Sequence, residues 1–161
     1  MQVRELNHGD LRSLVEFIVD AYYDYPMATW FDKEPTPEQI EGIFYNKLHG
    51  IASRNLIDVV TEDGGSISAE CEIARTSFDS GVVGILVRHG YRGKRIGSEM
   101  LEKAIDDATK IGMVRFAAEV DEKNAGALKF FARNKFTPIG YRDARRAVEM
   151  HKIVILQRSV S

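Results

Sequence analysis

Val82-Val83-Gly84-Ile85-Leu86-Val87 is an apolar run that leads into His89–Gly97, a loop holding three glycines together with Arg92, Lys94 and Arg95. The loop opens directly into a helical pattern, with Met100, Leu101, Ala104, Ile105, Ala108 and Ile111 on one face and Gly112 as the stop. A short apolar run of this kind reads as a buried strand, and an amphipathic helix straight after it must lie on a sheet. This strand–loop–helix unit constrains the fold more than any other segment. It also carries chemistry. A helix start offers unpaired N–H groups and the positive end of the helix dipole. Glycines let an anion approach that backbone, and three basic residues stand at the same place, so these are the parts of a phosphate cradle. The segment is neither a G-x-G-x-x-G fingerprint nor a P-loop. The plain alternative is a connecting loop with solvated basic side chains.

The rest of the chain supplies a sheet around that unit. Val3–Leu6 reads as a short strand, and residues 10–23 as a helix with Leu11, Leu14, Val15, Phe17, Ile18 and Ala21 at helical spacing. Thr36-Pro37-Glu38-Gln39 is a capping-box start for a second helix, running to about Ile51. Leu56–Thr61 and Ile67–Arg75 are strand-like runs around an Asp63-Gly64-Gly65 turn. In the second run Ala69, Cys71 and Ile73 alternate with Glu70 and Glu72, so the two carboxylates share a face. Residues 113–120 alternate as a strand. Asn124 can cap a fourth helix from Ala125 to about Asn134, and residues 136–141 and 148–158 read as two more strands. The expected order is β-α-α-β-β-β-α-β-α-β-β, an α+β or mixed α/β domain on one sheet, spanning residues 1–161 as a single domain.

Two segments carry a family resemblance. Arg92-Gly93-Lys94-Arg95-Ile96-Gly97, preceded by Ile85-Leu86-Val87 and Tyr91, resembles motif A of the GCN5-related N-acetyltransferases, the GNAT superfamily, usually written R-G-x-G-I-G. Arg95 stands where the family usually has glycine. If the backbone there needs a positive φ, the arginine costs stability. Asn124, Ala127, Phe130, Phe131 and Phe136 are similar to the family's motif B, with Phe131 at the tyrosine and Lys135 at the glycine. The resemblance implies a central, mostly antiparallel sheet of about seven strands with four helices, splayed between strands 82–87 and 113–120. It implies transfer of an acetyl group from acetyl-CoA to a primary amine, by direct attack in a ternary complex. The alternative is an acyl-CoA-binding or regulatory domain of the same fold with weak or no turnover.

The resemblance also distributes the site. The pyrophosphate would lie on the N–H groups of residues 93–98, that is Gly93, Lys94, Arg95, Ile96, Gly97 and Ser98, with Arg92 beside them. The pantetheine arm would pair with the free edge at Leu86 and Val87, mimicking an added strand. Asn124 would hydrogen-bond that arm, and Phe130 and Phe131 would line its path; a helix cap and a core aromatic are the plain readings of Asn124 and Phe131. A free lysine titrates at about 10.4, so a base must take a proton from the acceptor. Glu70 and Glu72 are the candidates. With Arg75 facing Val82 across a hairpin, Glu72 faces Ile85 and Glu70 faces Val87, beside the cleft; a solvated sheet face is the alternative. The glutamate many family members carry near the start of the motif A strand is missing at Gly81. Phe131 has no proton to give, which leaves Tyr141, a tyrosine of the 22–25 cluster or water as the acid. The first two helices and their connection would build the acceptor pocket, bringing Tyr22, Tyr23, Tyr25, Trp30 and Phe31 close, with Asp24, Asp32 and Glu34. A hydrophobic plug is the alternative there.

Composition sets the remaining bounds. The chain has 161 residues, a net charge of -2 and a single cysteine, Cys71. An intramolecular disulfide and a cysteine-based metal site are therefore excluded, and nucleic acid is an unexpected partner for so weakly charged a surface. Cys71, among apolar alternates, reads as a buried small hydrophobe. His8, His49, His89 and His151 show no metal spacing and read as structural or surface residues; no metal is expected. Arg142, Arg145 and Arg146 read by default as a solvated hairpin. No apolar run reaches bilayer length and residues 1–30 lack a signal-peptide pattern, so no membrane partner and a cytoplasmic location are expected. The strand at 152–158 could pair between subunits in a homodimer.

Overall fold

The structure, a computed structural model, describes residues 2–160. Seven strands form one sheet in the order β1-β2-β3-β4-β5-β7-β6. The strands are β1 (Arg4–Glu5), β2 (Leu56–Asp63), β3 (Ser66–Ser77), β4 (Ser80–Val87), β5 (Arg115–Asp121), β6 (Thr137–Arg146) and β7 (Glu149–Ser159). The helices are α1 (Leu11–Asp24), α2 (Pro37–Ala52), α3 (Ile96–Lys110) and α4 (Ala125–Arg133). Every neighbouring pair is antiparallel except β4 and β5. That one parallel pair follows from the crossover through α3, since a strand that returns by way of a helix re-enters in the same direction. The α+β fold with four helices and a mostly antiparallel seven-stranded sheet is the expected one.

Local chemistry sets the element boundaries. At α2, Thr36 Oγ1 accepts from the Gln39 N–H at 3.1 Å and Gln39 Oε1 accepts from the Thr36 N–H at 2.8 Å, the reciprocal box expected from the sequence. The apolar stripes of α1 and α2 cover one face of the sheet, with Leu14, Phe17, Ile18, Ile40 and Phe44 packed on Val60 and Ile67. On the other face Met100, Leu101, Ala104, Ile105 and Ala108 of α3 pack with Cys71, Ile73, Val83, Phe116, Ala118 and Val120. Helices on both faces bury the central strands, as the parallel β4–β5 pair requires.

Three expectations need correction. The β3–β4 hairpin pairs Ala74 with Val82, Glu72 with Gly84 and Glu70 with Leu86, one residue away from the register expected from an Arg75–Val82 pair. A bulge between Arg75 and Ser77 is the reason: Ser77 and Ser80 pair in the expected register at the turn, and the extra residue, Thr76, displaces everything beyond it. Next, β6 runs on to Arg146 rather than stopping near Tyr141. It is the sheet's edge strand and almost wholly exposed, so its polar sequence gives no alternating signal. Last, β7 bonds to β5 on one side and β6 on the other, so its backbone is used up within the chain and cannot pair with a second copy.

Candidate active site

The pairing between β4 and β5 is confined to Ser80–Arg115, Gly81–Phe116 and Val82–Ala117. Beyond Val82 the two strands part, which is the splay expected between strands 82–87 and 113–120, and the β4 edge at Leu86 and Val87 lies beyond the last β5 pair. Paired residues point to the same side of a sheet. The α1/α2 face therefore carries Glu70, Glu72, Gly84 and Leu86 on one bank of the splay. On the other bank it carries Ala117, Glu119 and Asp121, with Ile153 of β7 paired to Asp121.

Above the first bank lies the loop that enters α3. The N–H groups of Ile96, Gly97 and Ser98 have no hydrogen-bond acceptor among the described residues, and no side chain caps the helix. Gly90 and Gly93 take positive φ, and a Cβ on either would meet nothing within 4 Å. Open space beside unpaired amides is what an incoming anion requires. Arg95 sits in the left-handed region, at φ 62°, so the arginine stands where the backbone favours glycine. Arg92 reaches back instead of forward: its Nη2 donates to Asp24 at 2.6 Å and its Nε to the Val87 carbonyl at 3.1 Å. That pair is partly exposed and worth at most about 1 kcal/mol, so a phosphate can compete for the guanidinium. Gly97 has a different job from the open glycines. A Cβ there would stand 2.9 Å from Cε1 of Phe130, so the glycine lets α4 close on the start of α3.

Glu70 and Glu72 do share a face, and it is not a solvated one. Lys47 of α2 reaches between them: its Nζ lies 2.9 Å from Asp58 Oδ2 and 3.1 Å from Glu70 Oε2, and it also donates to Glu72. Asp58 Oδ1 and Glu70 Oε2 are buried without a well-aligned hydrogen bond. Burial, followed by the charge of Glu70, pushes the Asp58 carboxyl well above its ordinary range. Burial alone would lower the Lys47 pKa, but the three carboxylates outweigh it and hold the ammonium charged. Glu70 is buried, while the Glu72 side chain is 37% exposed. Glu72 also lies against Gly84, its Oε1 3.5 Å from where a Cβ would be. The missing side chain at Gly84 thus leaves Glu72 beside the β4 edge, just past the point where β5 departs.

The second bank holds a group that sequence reasoning missed. Asp121, buried at the end of β5, accepts from Arg146 Nη1 at 2.9 Å and from the Lys123 N–H at 3.0 Å, and it bonds to Nδ1 of His151. Burial would raise the Asp121 pKa, but these donors outweigh it and hold the carboxylate ionised, below its usual range. Arg146 also donates to the carbonyls of Met27, at 3.1 Å, and Thr29, and its guanidinium lies 4.5 Å from the centre of the Trp30 ring. Arg146 is therefore no solvated hairpin residue: it straps the β6–β7 turn to the connection between α1 and α2. His151 is likewise not a surface residue, its side chain being only 8% exposed. A pocket of about 260 Å³ lies there, lined by Phe31, Asp32, Arg146, Glu149 and His151, with Met27 beside them. The available signal was weak: His151 falls on the inward side of a strand and Asp121 ends another, and only the β5–β7 pairing brings them together.

The remaining candidates separate. Asn124 Oδ1 accepts from the Ala127 N–H at 3.2 Å and so caps α4. Phe130 packs against Gly97, which Ile85 also approaches from β4. Phe131 is buried, edge-on to Phe136 at 5.1 Å, and packs as a core aromatic. Tyr22 and Tyr23 stack edge to face, and Tyr25 lies over Met27. Tyr141 is exposed on the edge strand under Lys152. Phe31 thus lines the pocket by Arg146 and Trp30 stacks on that guanidinium, whereas Tyr22 and Tyr25 line neither pocket. Tyr23 instead lines a second pocket with Asp20, Asp24, Arg88 and His89.

A sheet parted between one parallel pair of strands, with an anion cradle at the helix that follows the first, defines a class of acyltransferases that bind a CoA thioester. The chain belongs to the acetyltransferase (GNAT) family, whose profile matches residues 16–136. Solved structures agree on the fold. Ribosomal-protein-alanine N-acetyltransferase from Brucella melitensis is 16% identical with a TM-score of 0.83, covering 99% of this chain and 100% of that one. A Salmonella typhimurium acetyltransferase that modifies the N-terminal serine of ribosomal protein L7/L12 is 12% identical with a TM-score of 0.86, over 99% and 94%. A phosphinothricin acetyltransferase from Sinorhizobium meliloti, solved with acetyl-CoA, is 18% identical with a TM-score of 0.81, over 99% and 88%. No curated protein matches the sequence. No helix among the described residues is long and apolar enough to cross a membrane.

Proposed function

We propose that residues 1–161 act as one domain that moves an acetyl group from acetyl-CoA to a primary amine, by direct attack in a ternary complex. One observation carries the reading: unpaired amides at the start of α3 adjoin a β4 edge that has lost its β5 partner. Gly93 to Ser98 and Arg92 would hold the diphosphate, and Leu86 and Val87 the pantetheine amides. Phe130 would flank that arm. The thioester supplies an activated acyl carbon.

The chain's own task is proton handling. A primary ammonium loses two protons on its way to an amide, one before the nitrogen can attack and one as the N–C bond forms and the C–S bond breaks, and the departing CoA thiolate takes a proton from water. Glu72 is placed to take the second, since it is half-exposed at the opening of the splay. Glu70, buried under Lys47, serves to fix the nest. The acceptor side is the connection between α1 and α2 with the β6–β7 turn, where Trp30 and Phe31 stand with Asp32 and Glu149. Carboxylates and aromatic faces suit a cation. One neighbour is named for the N-terminal serine of a ribosomal protein and another for ribosomal-protein alanine, so a peptide with a free N-terminal serine or alanine is the first acceptor to try.

A second reading, acyl-CoA binding without turnover, is favoured by the ion pairs that engage both glutamates and by the absence of a hydroxyl at Phe131. Release of CoA thiol from acetyl-CoA in the presence of an N-terminal alanine peptide separates the two. Glu72→Gln should cut the rate about a hundredfold and move its pH profile with acetyl-CoA affinity unchanged. An unchanged profile removes Glu72 from the mechanism.

A further inference from the structure

We infer that His151 is the group that takes the first proton, from an ammonium bound in the pocket between the α1–α2 connection and the β6–β7 turn. The inference rests on the acetyl-transfer reading and adds to it a residue on the opposite bank of the splay from Glu72.

A general base needs a free lone pair at the pocket, an orienting partner behind it, and surroundings that draw the substrate in. His151 has the orienting partner and the anionic surroundings, and its neutral ring presents the Nε2 lone pair at the pocket rim. Its Nδ1 bonds to Asp121, a buried carboxylate, which orients the ring with Nε2 on the side of the Glu149 carboxylate at the pocket rim. The Asp121 carboxylate is itself held by Arg146 and by the Lys123 N–H, so the ring's orientation is set by three elements of the fold. Nε2 lies 3.4 Å from Glu149 Oε2 at the pocket rim. Asp32, whose Oδ1 accepts from the Ala147 N–H at 3.1 Å, adds a second carboxylate. The charged groups facing the ring are thus Asp121 from β5, Arg146 from β6, Glu149 from β7, Lys123 through its 3.4 Å pair with Glu149, and Asp32. Arg146 is spent on Asp121 and two carbonyls, so the rim facing the pocket is anionic.

The step is a simple transfer. The Nε2 lone pair takes a proton from the substrate ammonium, leaving a neutral amine with its own lone pair. The imidazolium is stabilised by Asp121 through Nδ1–H and then releases its proton to solvent. Asp121 stays ionised throughout.

The test has one readout that needs no turnover. The Cε1–H resonance of His151 is titrated by NMR in the protein with CoA, with and without a peptide bearing a free N-terminal alanine. It is assigned by its loss in His151→Gln or, should that variant fail to fold, by its displacement to lower pH in Glu149→Gln. An ammonium against Nε2 should move the midpoint to lower pH by about 0.5 or more; the same midpoint with and without peptide overturns the inference. With acetyl-CoA, His151→Gln should lower kcat about a hundredfold and move the acid limb of the pH–rate profile up toward the pKa of the free peptide amine, with KM for acetyl-CoA unchanged. An acid limb at the wild-type position also overturns it. A moved midpoint without acetylation of the peptide would sink the transfer reading and leave the His151 pocket standing. Acetylation with an unmoved midpoint would do the reverse.

Discussion

Lys47→Met should cost about 3–5 kcal/mol of stability, the range expected when one partner of a buried ion pair is removed. The ammonium faces three carboxylates, two of them at 2.9 and 3.1 Å, and its side chain is only 10% exposed. Methionine fills the volume and supplies no charge, so the buried Asp58 and Glu70 are left to repel each other, and Glu72 beside them, with little screening by water. With an urea m-value of about 2 kcal/mol/M for a chain of this size, the midpoint should fall by about 2 M. The sign of the pH dependence follows from the raised Asp58 pKa. A native state that binds more protons than the unfolded chain loses stability as pH rises between the unfolded carboxyl pKa and the native one. The Lys47 charge lowers the Asp58 pKa, so its loss raises that pKa further, and the variant's deficit should be larger at pH 8 than at pH 5. Adding Asp58→Asn to Lys47→Met should recover part of the loss, since it removes one of the repelling charges. A deficit under about 1 kcal/mol, or one that does not change between pH 5 and pH 8, would refute the account of the nest.

Arg95→Gly should raise stability by about 1 kcal/mol, since it removes the left-handed strain at φ 62°, and the melting temperature should rise by about 2–4 °C. A lower melting temperature would mean that the arginine side chain contributes contacts that outweigh the strain. Gly97→Ala should displace the Phe130 ring, which stands 2.9 Å from the new Cβ, and weaken acetyl-CoA binding through the cleft wall. Calorimetry checks this, and unchanged affinity would remove Phe130 from the pantetheine path.

Short-range signals were legible in the sequence and pairings between distant strands were not. The α2 capping box, the strand–loop–helix unit at 82–111 and the alternation of Glu70 with Cys71 each lie within one segment, and each reads off residue type and period. The β3–β4 register failed because a bulge at Thr76 leaves no mark in composition. The Lys47 nest was missed for a different reason. Lys47 lies on a helix whose exposed positions also carry polar residues, and only the docking of α2 over β2 and β3 turns it inward. Asp121, Arg146 and His151 come from three strands that meet only because β7 inserts between β5 and β6. Arg146 looked like one of a solvated group because its neighbours Arg142 and Arg145 are indeed exposed. Asn124 caps α4 and Phe131 packs in the core, the structural roles that their residue types favour, and a cap does not exclude a bond from Asn124 to the pantetheine arm.

Amide chemical shifts followed during titration of the whole protein with acetyl-CoA test the central claim most directly. Saturable shifts should be largest at Gly93–Ser98, smaller at Leu86 and Val87, and should need more ligand as salt is raised. Binding that leaves the amides of Ile96, Gly97 and Ser98 unmoved, or no binding at millimolar acetyl-CoA, would contradict the claim that the start of α3 holds the diphosphate.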